Sequence, residues 1–158
     1  MPCLVCGEEN SSQVYELNRL CRLETYDKPL SQFVAWTLKQ LKKFNLIIIS
    51  YSDMGMSHHG YIYQALNFIY TGLTDSCIDV VKSIGAHARS VKPKDRAEGR
   101  GVRVRRTQKH RYIYFACDKA HKKKFISSLS YPIQPYPKGD NNEDYSLGFV
   151  YTPEVVED

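Results

Sequence analysis

Residues 46–72, LIIISYSDMGMSHHGYIYQALNFIYTG, constrain the fold more than any other stretch. The run opens with Leu46, Ile47, Ile48 and Ile49. It is too short for a helix core and suits a buried strand over 45–52. The pattern breaks at Ser52 and Asp53, passes Gly55, and resumes with helical spacing. Ile62, Ala65, Leu66 and Ile69 would form the core-facing stripe of a helix over 58–69. His59, Tyr63 and Asn67 fall four apart on another face. An acid at a strand end, then a loop and a polar-faced helix, is how open α/β sheets build ligand sites. The same pattern also describes an ordinary strand–helix unit whose polar residues face water.

The preceding segments supply a partner. QVYELNRLC, 13–21, reads as a strand, with Arg19 inside it. A charge there faces solvent, or meets an anion beside a cleft. Asp27-Lys28-Pro29 is helix-start chemistry, and Leu30, Phe33, Val34, Leu38 and Leu41 make one amphipathic stripe ending near Lys42 and Lys43. Two strands joined by one helix imply a parallel, right-handed crossover. Arg19, Ser31 at the helix start, Asp53 and the start of helix 58–69 would then gather at one end of the sheet.

The remainder is less regular. Residues 1–12 read as a loop, and 75–101, with Gly85, Pro93, Gly99 and Gly101, as a long mobile basic loop. Val102–Arg106 and Arg111–Cys117 alternate and resemble a β-hairpin joined by TQKH. On its second arm Tyr112 and Tyr114 share one face, Ile113 and Phe115 the other. Lys119–Leu129 reads as a basic helix, YPIQPYPKGDNN as extended and turn-rich, Gly148–Tyr151 as an edge strand, and 152–158 as a frayed acidic tail. The fold class is α/β, as a single domain over 1–158.

Composition excludes some functions. No apolar run approaches the ~20 residues of a membrane span, and no basic-then-apolar leader opens the chain, so an intracellular site is expected. Five cysteines, an odd count, argue against a disulfide framework. The pair Cys3 and Cys6 lacks a second pair at zinc-ribbon spacing. Asp53 with His58 or His59 offers at most two metal ligands, and no metal is assigned.

The net charge of +5 is uneven. Residues 82–124 hold 15 Lys and Arg against Asp95, Glu98 and Asp118, while the rest of the chain is acidic. A basic block on an acidic protein is an electrostatic footprint for a polyanion. Arg103, Arg105, Arg106, Lys109 and Arg111 on the hairpin, and Lys122, Lys123 and Lys124 on the helix, would hold a nucleic-acid backbone. Tyr112 or Tyr114 would stack on a displaced base. The alternative is a solubilising surface.

The blocks SYSD, HHGYIYQA and NFIYTG resemble the signature of phage Mom-like DNA-modification proteins. ELNRL at 16–20, KHRYIYF at 109–115 and YPKGDN at 137–142 resemble the flanking blocks of that family, in the same order. The resemblance covers about residues 5–142. It implies a GNAT-like mixed sheet flanked by helices, and transfer of an acyl or carbamoylmethyl-type group to adenine N6 of DNA. It implies catalytic roles for Asp53, Tyr63 and His59. Asp53 would act as base or anchor for the adenine amine, or simply cap the next turn. Arg19, Ser31, His58, Tyr61, Gln64 and Asn67 would bind substrate or donor. The donor would be an acyl-CoA or a relative, yet TYDKPLSQF stands where the family's superfamily carries an R-x-x-G-x-G/A loop. Only about a dozen residues precede ELNRL, so the fold is expected to be N-terminally incomplete, with a second chain as the candidate partner that completes it in the bacterial host cytoplasm. A non-catalytic basic nucleic-acid-binding module, or one half of a split enzyme, is the alternative.

Overall fold

A computed structural model describes residues 3–23, 25, 27–84, 91–139 and 153–156 of a mixed α/β fold. In chain order the elements are α1 (Cys3–Cys6), a 3-10 turn (Glu8–Gln13), β1 (Val14–Glu16), α2 (Leu30–Leu41), β2 (Leu46–Asp53), α3 (Tyr61–Ala65) and β3 (Ile69–Leu73). There follow β4 (Ile78–Val81), α4 (Pro93–Ala97), β5 (Val102–Arg105), β6 (Lys109–Ala116), α5 (Lys119–Ser127) and β7 (Glu154–Val155). The chain divides into two compact units. One holds Met1–Ser52, Gly60–Gly72 and His110–Lys138; the other holds Asp53–His59, Leu73–Lys109 and Gly139–Asp158.

The first unit is built on the sheet β1-β2-β6-β3. The expected parallel pairing is present: β1 and β2 run side by side, with Val14 opposite Ile47 and Glu16 opposite Ile49. Alternation then fills two cores. Ile47 and Ile49 of β2 join Ile113 and Phe115 of β6, with Val5, Cys6 and Phe125. Ile48 and Tyr112, on the opposite faces of those strands, join Val34 and Leu38 of α2 with Tyr63, Phe68 and Tyr70. Tyr112 and Tyr114 do share one face of β6, and Ile113 and Phe115 the other.

Several expectations are corrected. Residues 1–12 are not a loop, for α1 and its following turn bury Val5, Cys6 and Asn10. The Asn10 amide donates to the Cys6 carbonyl (2.8 Å) and to Ser128 Oγ (3.1 Å), tying the chain start to α5. The strand expected over 13–21 is three residues long. The Leu17 amide makes one more bond, to Ile49 O (2.8 Å), and Ser50 Oγ then takes the Leu17 carbonyl (2.7 Å). The ladder ends there, and Arg19 lies in an exposed irregular segment.

The helix expected over 58–69 spans only Tyr61–Ala65. Asn67 adopts φ 59°, Phe68 N donates to Tyr63 O (3.0 Å) and Asn67 N to Gln64 O (3.0 Å). This left-handed stop terminates the helix and swings buried Phe68 into the lead of β3. Ala65 is exposed, and Tyr63 rather than Ala65 faces the core.

The second unit carries the sheet β4-β5-β7. The hairpin of 102–106 with 111–117 does not exist: β5 pairs antiparallel with β4 and β7, and β6 belongs to the other sheet. The basic stretch 75–101 is likewise not one loop, since it contains β4 and α4, the latter opening with Pro93 in its first turn. Residues 85–90 and the expected strand Gly148–Tyr151 lie outside the described residues. Part of the expected frayed tail is β7, where Val155 sits opposite Val104.

Candidate functional site

In the first unit, the site residues cluster where β1 leaves β2. Once β1 has parted from the ladder, Ser50 is a buried hydroxyl inside an otherwise apolar strand. It bonds the Leu17 carbonyl on one side and the Tyr63 phenol on the other. Tyr63 comes from α3 and is buried, its ring 5.2 Å from that of Tyr112 and 5.3 Å from that of Phe68. Burial pushes the Tyr63 phenol up from its ordinary range. Tyr112 is pushed up to about 12, again by burial, against a lowering bond from Gln64. Both phenols therefore keep their protons at neutral pH.

Gln64 lies beside them, its amide nitrogen donating to Tyr112 Oη (3.1 Å) and to Pro137 O (3.4 Å). A second pair, Tyr70 Oη and His110 Nδ1, meets at 2.9 Å in the interior. Gly60, the residue before α3, permits this packing. Its φ is 72°, and a Cβ there would lie 2.5 Å from Tyr112 Cε2. Ser50 and His110 escape notice in the sequence. The signal for Ser50 was available: a hydroxyl between apolar residues of a buried strand needs a polar partner.

The other expected residues of this unit scatter. Tyr61 is exposed and Ser31 half-buried in the first turn of α2. Asn67, beyond the helix stop, does not share a helix face with Tyr63; it lines a cavity with Lys42, Lys119 and Lys122. Residues 17–29 contain no glycine, and Pro29, which caps α2, has no N–H. This does not fit a coenzyme A pyrophosphate held in the usual backbone cradle.

Arg111 and Tyr112 are not a nucleic-acid surface. Arg111 is buried, its guanidinium 3.6 Å above the Tyr131 ring and bonded to Thr71 O and the Tyr51 phenol. Tyr112 is fully buried, so no displaced base reaches it. Both follow from β6 being an inner strand with a core on each face. Lys122, Lys123 and Lys124 are exposed on α5, which buries Phe125.

In the second unit, Asp53 ends β2 as expected. Its Oδ1 accepts from Gly55 N (2.9 Å) and Thr107 Oγ1 (2.6 Å), and its Oδ2 lies 3.7 Å from Lys109 Nζ. The carboxylate thus caps the next turn, while Oδ2 keeps lone pairs for a further donor. His58 donates its amide to Asp53 O (3.2 Å). A Cβ on Gly139 would fall 2.6 Å from His59 Nε2, so the backbone at Gly139 closes over that ring. Among the described residues, no three His, Cys, Asp or Glu side chains gather as metal ligands would.

The arginines of β5 share one face. Arg103 and Arg105 are exposed while Val104 between them is buried. Arg105 meets Glu154 at 3.1 Å, and Arg106, just past the end of β5, meets Asp79 at 3.5 Å. Asp79 also meets Arg96 (3.5 Å), and Arg100 pairs with Asp95 and Glu98. Much of the basic excess in this unit is therefore answered locally.

Among the described residues no helix is long and apolar enough to cross a membrane. No curated protein matches the sequence. The sequence pattern of the Mom protein family matches residues 3–138, most of the chain, including every block from ELNRL to NFIYTG and the KHRYIYF strand. The chain belongs to the Mom protein family, and its function is that of a phage protein for modifying adenine in DNA.

Proposed function

We propose that the chain is a GNAT-like transferase that places an acyl or carbamoylmethyl-type group on N6 of adenine in DNA. The observation that carries this reading is the family match, which spans the complete SYSD–HHGYIYQA block. The parallel strands β1 and β2, parting after Leu17 with a Ser50–Tyr63 hydroxyl pair at the split, support it. A crevice beyond parting parallel strands is a usual place for a ligand.

Adenine N6 is a weak nucleophile, so its proton must leave as the new N–C bond forms and the donor's bond to its leaving group breaks, the leaving group departing with that bond's electron pair. Asp53 Oδ2 is the acceptor for that proton. The protonated phenol of Tyr63 donates to charge developing on the donor group, and Arg19 and Ser31 hold the donor's anionic or carbonyl part. His58, His59, Tyr61 and Gln64 shape the surroundings. The donor does not use the usual coenzyme A cradle. N6 pairs inside the duplex, so the base must be displaced first.

The test is mass spectrometry of nucleosides from DNA made in cells expressing the chain. Wild type should yield a modified deoxyadenosine. Asp53→Asn and Tyr63→Phe should lose it while still binding DNA, and Tyr15→Phe should retain it. Wild-type levels of modification in both site variants would remove Asp53 and Tyr63 from the chemistry.

A second reading, a non-catalytic DNA-binding module, has one observation in its favour. Both Asp53 and Tyr63 are engaged in bonds that stabilise the fold. Unmodified DNA in every expressing strain, with binding intact, would select it.

A further inference from the structure

A groove on the first unit is lined by lysines that the transfer chemistry does not use. It consists of two adjoining cavities, of about 270 and about 590 Å3, which share Lys42 and Lys119. Together they have the size of ordinary ligand sites, ~300–1,000 Å3. Lys122, Asn67 and Tyr114 line the smaller, and Lys43 the wider.

These cations differ from the arginines of β5 and α4. Among the described residues, none of Lys42, Lys43, Lys119 and Lys122 forms an ion pair. The one acid on the rim is Asp118. Its oxygens are taken by His121, Oδ1 by the backbone amide (2.9 Å) and Oδ2 by the ring (2.8 Å). Lys42 and Lys122 stand on different elements, yet both line the groove around the buried thiol of Cys117, where the field of Asp118 opposes theirs. Like charges converging on one concave surface repel unless an anion lies between them, and low-dielectric walls focus their field.

The rest of the lining narrows the anion. Tyr114 is half-buried, packed on Phe68 with ring centroids 5.1 Å apart. Asn67, held outward by its left-handed turn, brings an exposed amide. Cations along a groove with an aromatic ring and an amide are the parts of a single-strand platform. Phosphates meet the cations, and a base meets the ring whatever its identity.

We propose that this groove holds single-stranded DNA, with backbone phosphates on Lys42, Lys119 and Lys122 and a base against Tyr114. The inference rests on the adenine-modification reading, because displacing a base from the duplex leaves single-stranded nucleotides to be held.

The test uses the full chain and a short fluorescent oligothymidylate, titrated at several salt concentrations. Each phosphate contact contributes about 0.7 to the slope of log affinity against log salt for a single strand. Lys42→Gln with Lys122→Gln should therefore lower the slope by about 1.4. Lys28→Gln with Lys39→Gln removes the same charge away from the groove and should leave it unchanged. Tyr114→Phe should keep the affinity, and Tyr114→Leu should lower it about tenfold. In wild type, an oligonucleotide carrying iodouracil should crosslink to the peptide containing Tyr114, a readout that needs no variant.

Equal slopes in the two double variants, or a crosslink mapping elsewhere, would overturn the proposal. So would tighter binding of ATP than of the oligonucleotide, which would make the groove a nucleotide pocket. Groove-dependent binding in a chain that leaves adenine unmodified would sink the transferase reading alone. Modified adenine with equal slopes would sink the groove alone.

Discussion

Replacing Gly60 by alanine should be among the most damaging single-methyl changes in the first unit. Gly60 has φ 72°, in the left-handed region, where an L side chain costs roughly 1–2 kcal/mol. The added Cβ would lie 2.5 Å from Cε2 and 2.9 Å from Cζ of Tyr112. That ring has little room to retreat. It is fully buried, it packs 5.2 Å from Tyr63 and 5.3 Å from Tyr70, and Gln64 holds its hydroxyl. Overpacking of this kind adds roughly 1–3 kcal/mol, so the total is about 2–5 kcal/mol. Set against the ~5–15 kcal/mol that stabilises a domain, this is a large fraction. Gly99→Ala separates the two terms, because Gly99 has φ 68° but nothing within 4 Å of its Cβ position. Urea unfolding followed by the near-ultraviolet dichroism of the tyrosine cluster measures both. Gly60→Ala should lose clearly more than Gly99→Ala. Equal losses would show that the ring contact is absent and that backbone conformation alone matters.

Three other outcomes follow from the same geometry. The Tyr112 phenol stands at about 12 in the folded chain and near its ordinary value of ~10 when unfolded. Below pH ~10 both states keep the proton and the contribution is whole. Between pH ~10 and ~12 the unfolded chain ionises first, and stability falls by roughly 2–3 kcal/mol. Urea midpoints measured across that window should drop in wild type and drop less in Tyr112→Phe; parallel curves would argue against the burial. For duplex DNA, Arg103→Gln with Arg105→Gln should lower the salt slope by at most about 1.8, because Glu154 already answers part of the Arg105 charge. A salt slope indifferent to the double change would show that this face of β5 is only solvated. Asn10→Ala should cost roughly 1–3 kcal/mol in the same urea assay, since it leaves the buried Cys6 carbonyl without its side-chain donor.

What the sequence announced was local and periodic. Leu46–Ile49, the stripe from Leu30 to Leu41, and the opposite faces of Tyr112 and Ile113 all required only the 2-residue and 3.6-residue periods. What it hid was long-range pairing. Val102–Arg105 and Lys109–Ala116 are close in sequence, and proximity suggested a hairpin. Yet Thr107-Gln108 offers no glycine or asparagine for a tight turn, and that absence was a legible warning. The helix stop at Asn67 could also have been read, from an asparagine followed by an aromatic residue that packs back. The site suffered from the same blindness. Asp53 as a cap of the Gly55 turn was local enough to be read, but its bond from Thr107 and the burial of Tyr63 against β6 depend on partners that no local window contains.

The position of β6 within its sheet also governs when the chain can fold as it leaves the ribosome. β6 lies between β2 and β3, but it is synthesised after both, with residues 74–108 in between. At ~5–20 residues per second, the nascent chain waits seconds with β2 and β3 emerged and their shared neighbour still unmade. During that interval β2 lacks β6 on one edge, and Ile47 and Ile49 lack Ile113, Phe115 and Phe125, which later bury them. An apolar strand with one open edge is a template for the wrong neighbour. The rate of translation through the basic middle therefore sets how long that edge of β2 stays open in a cell.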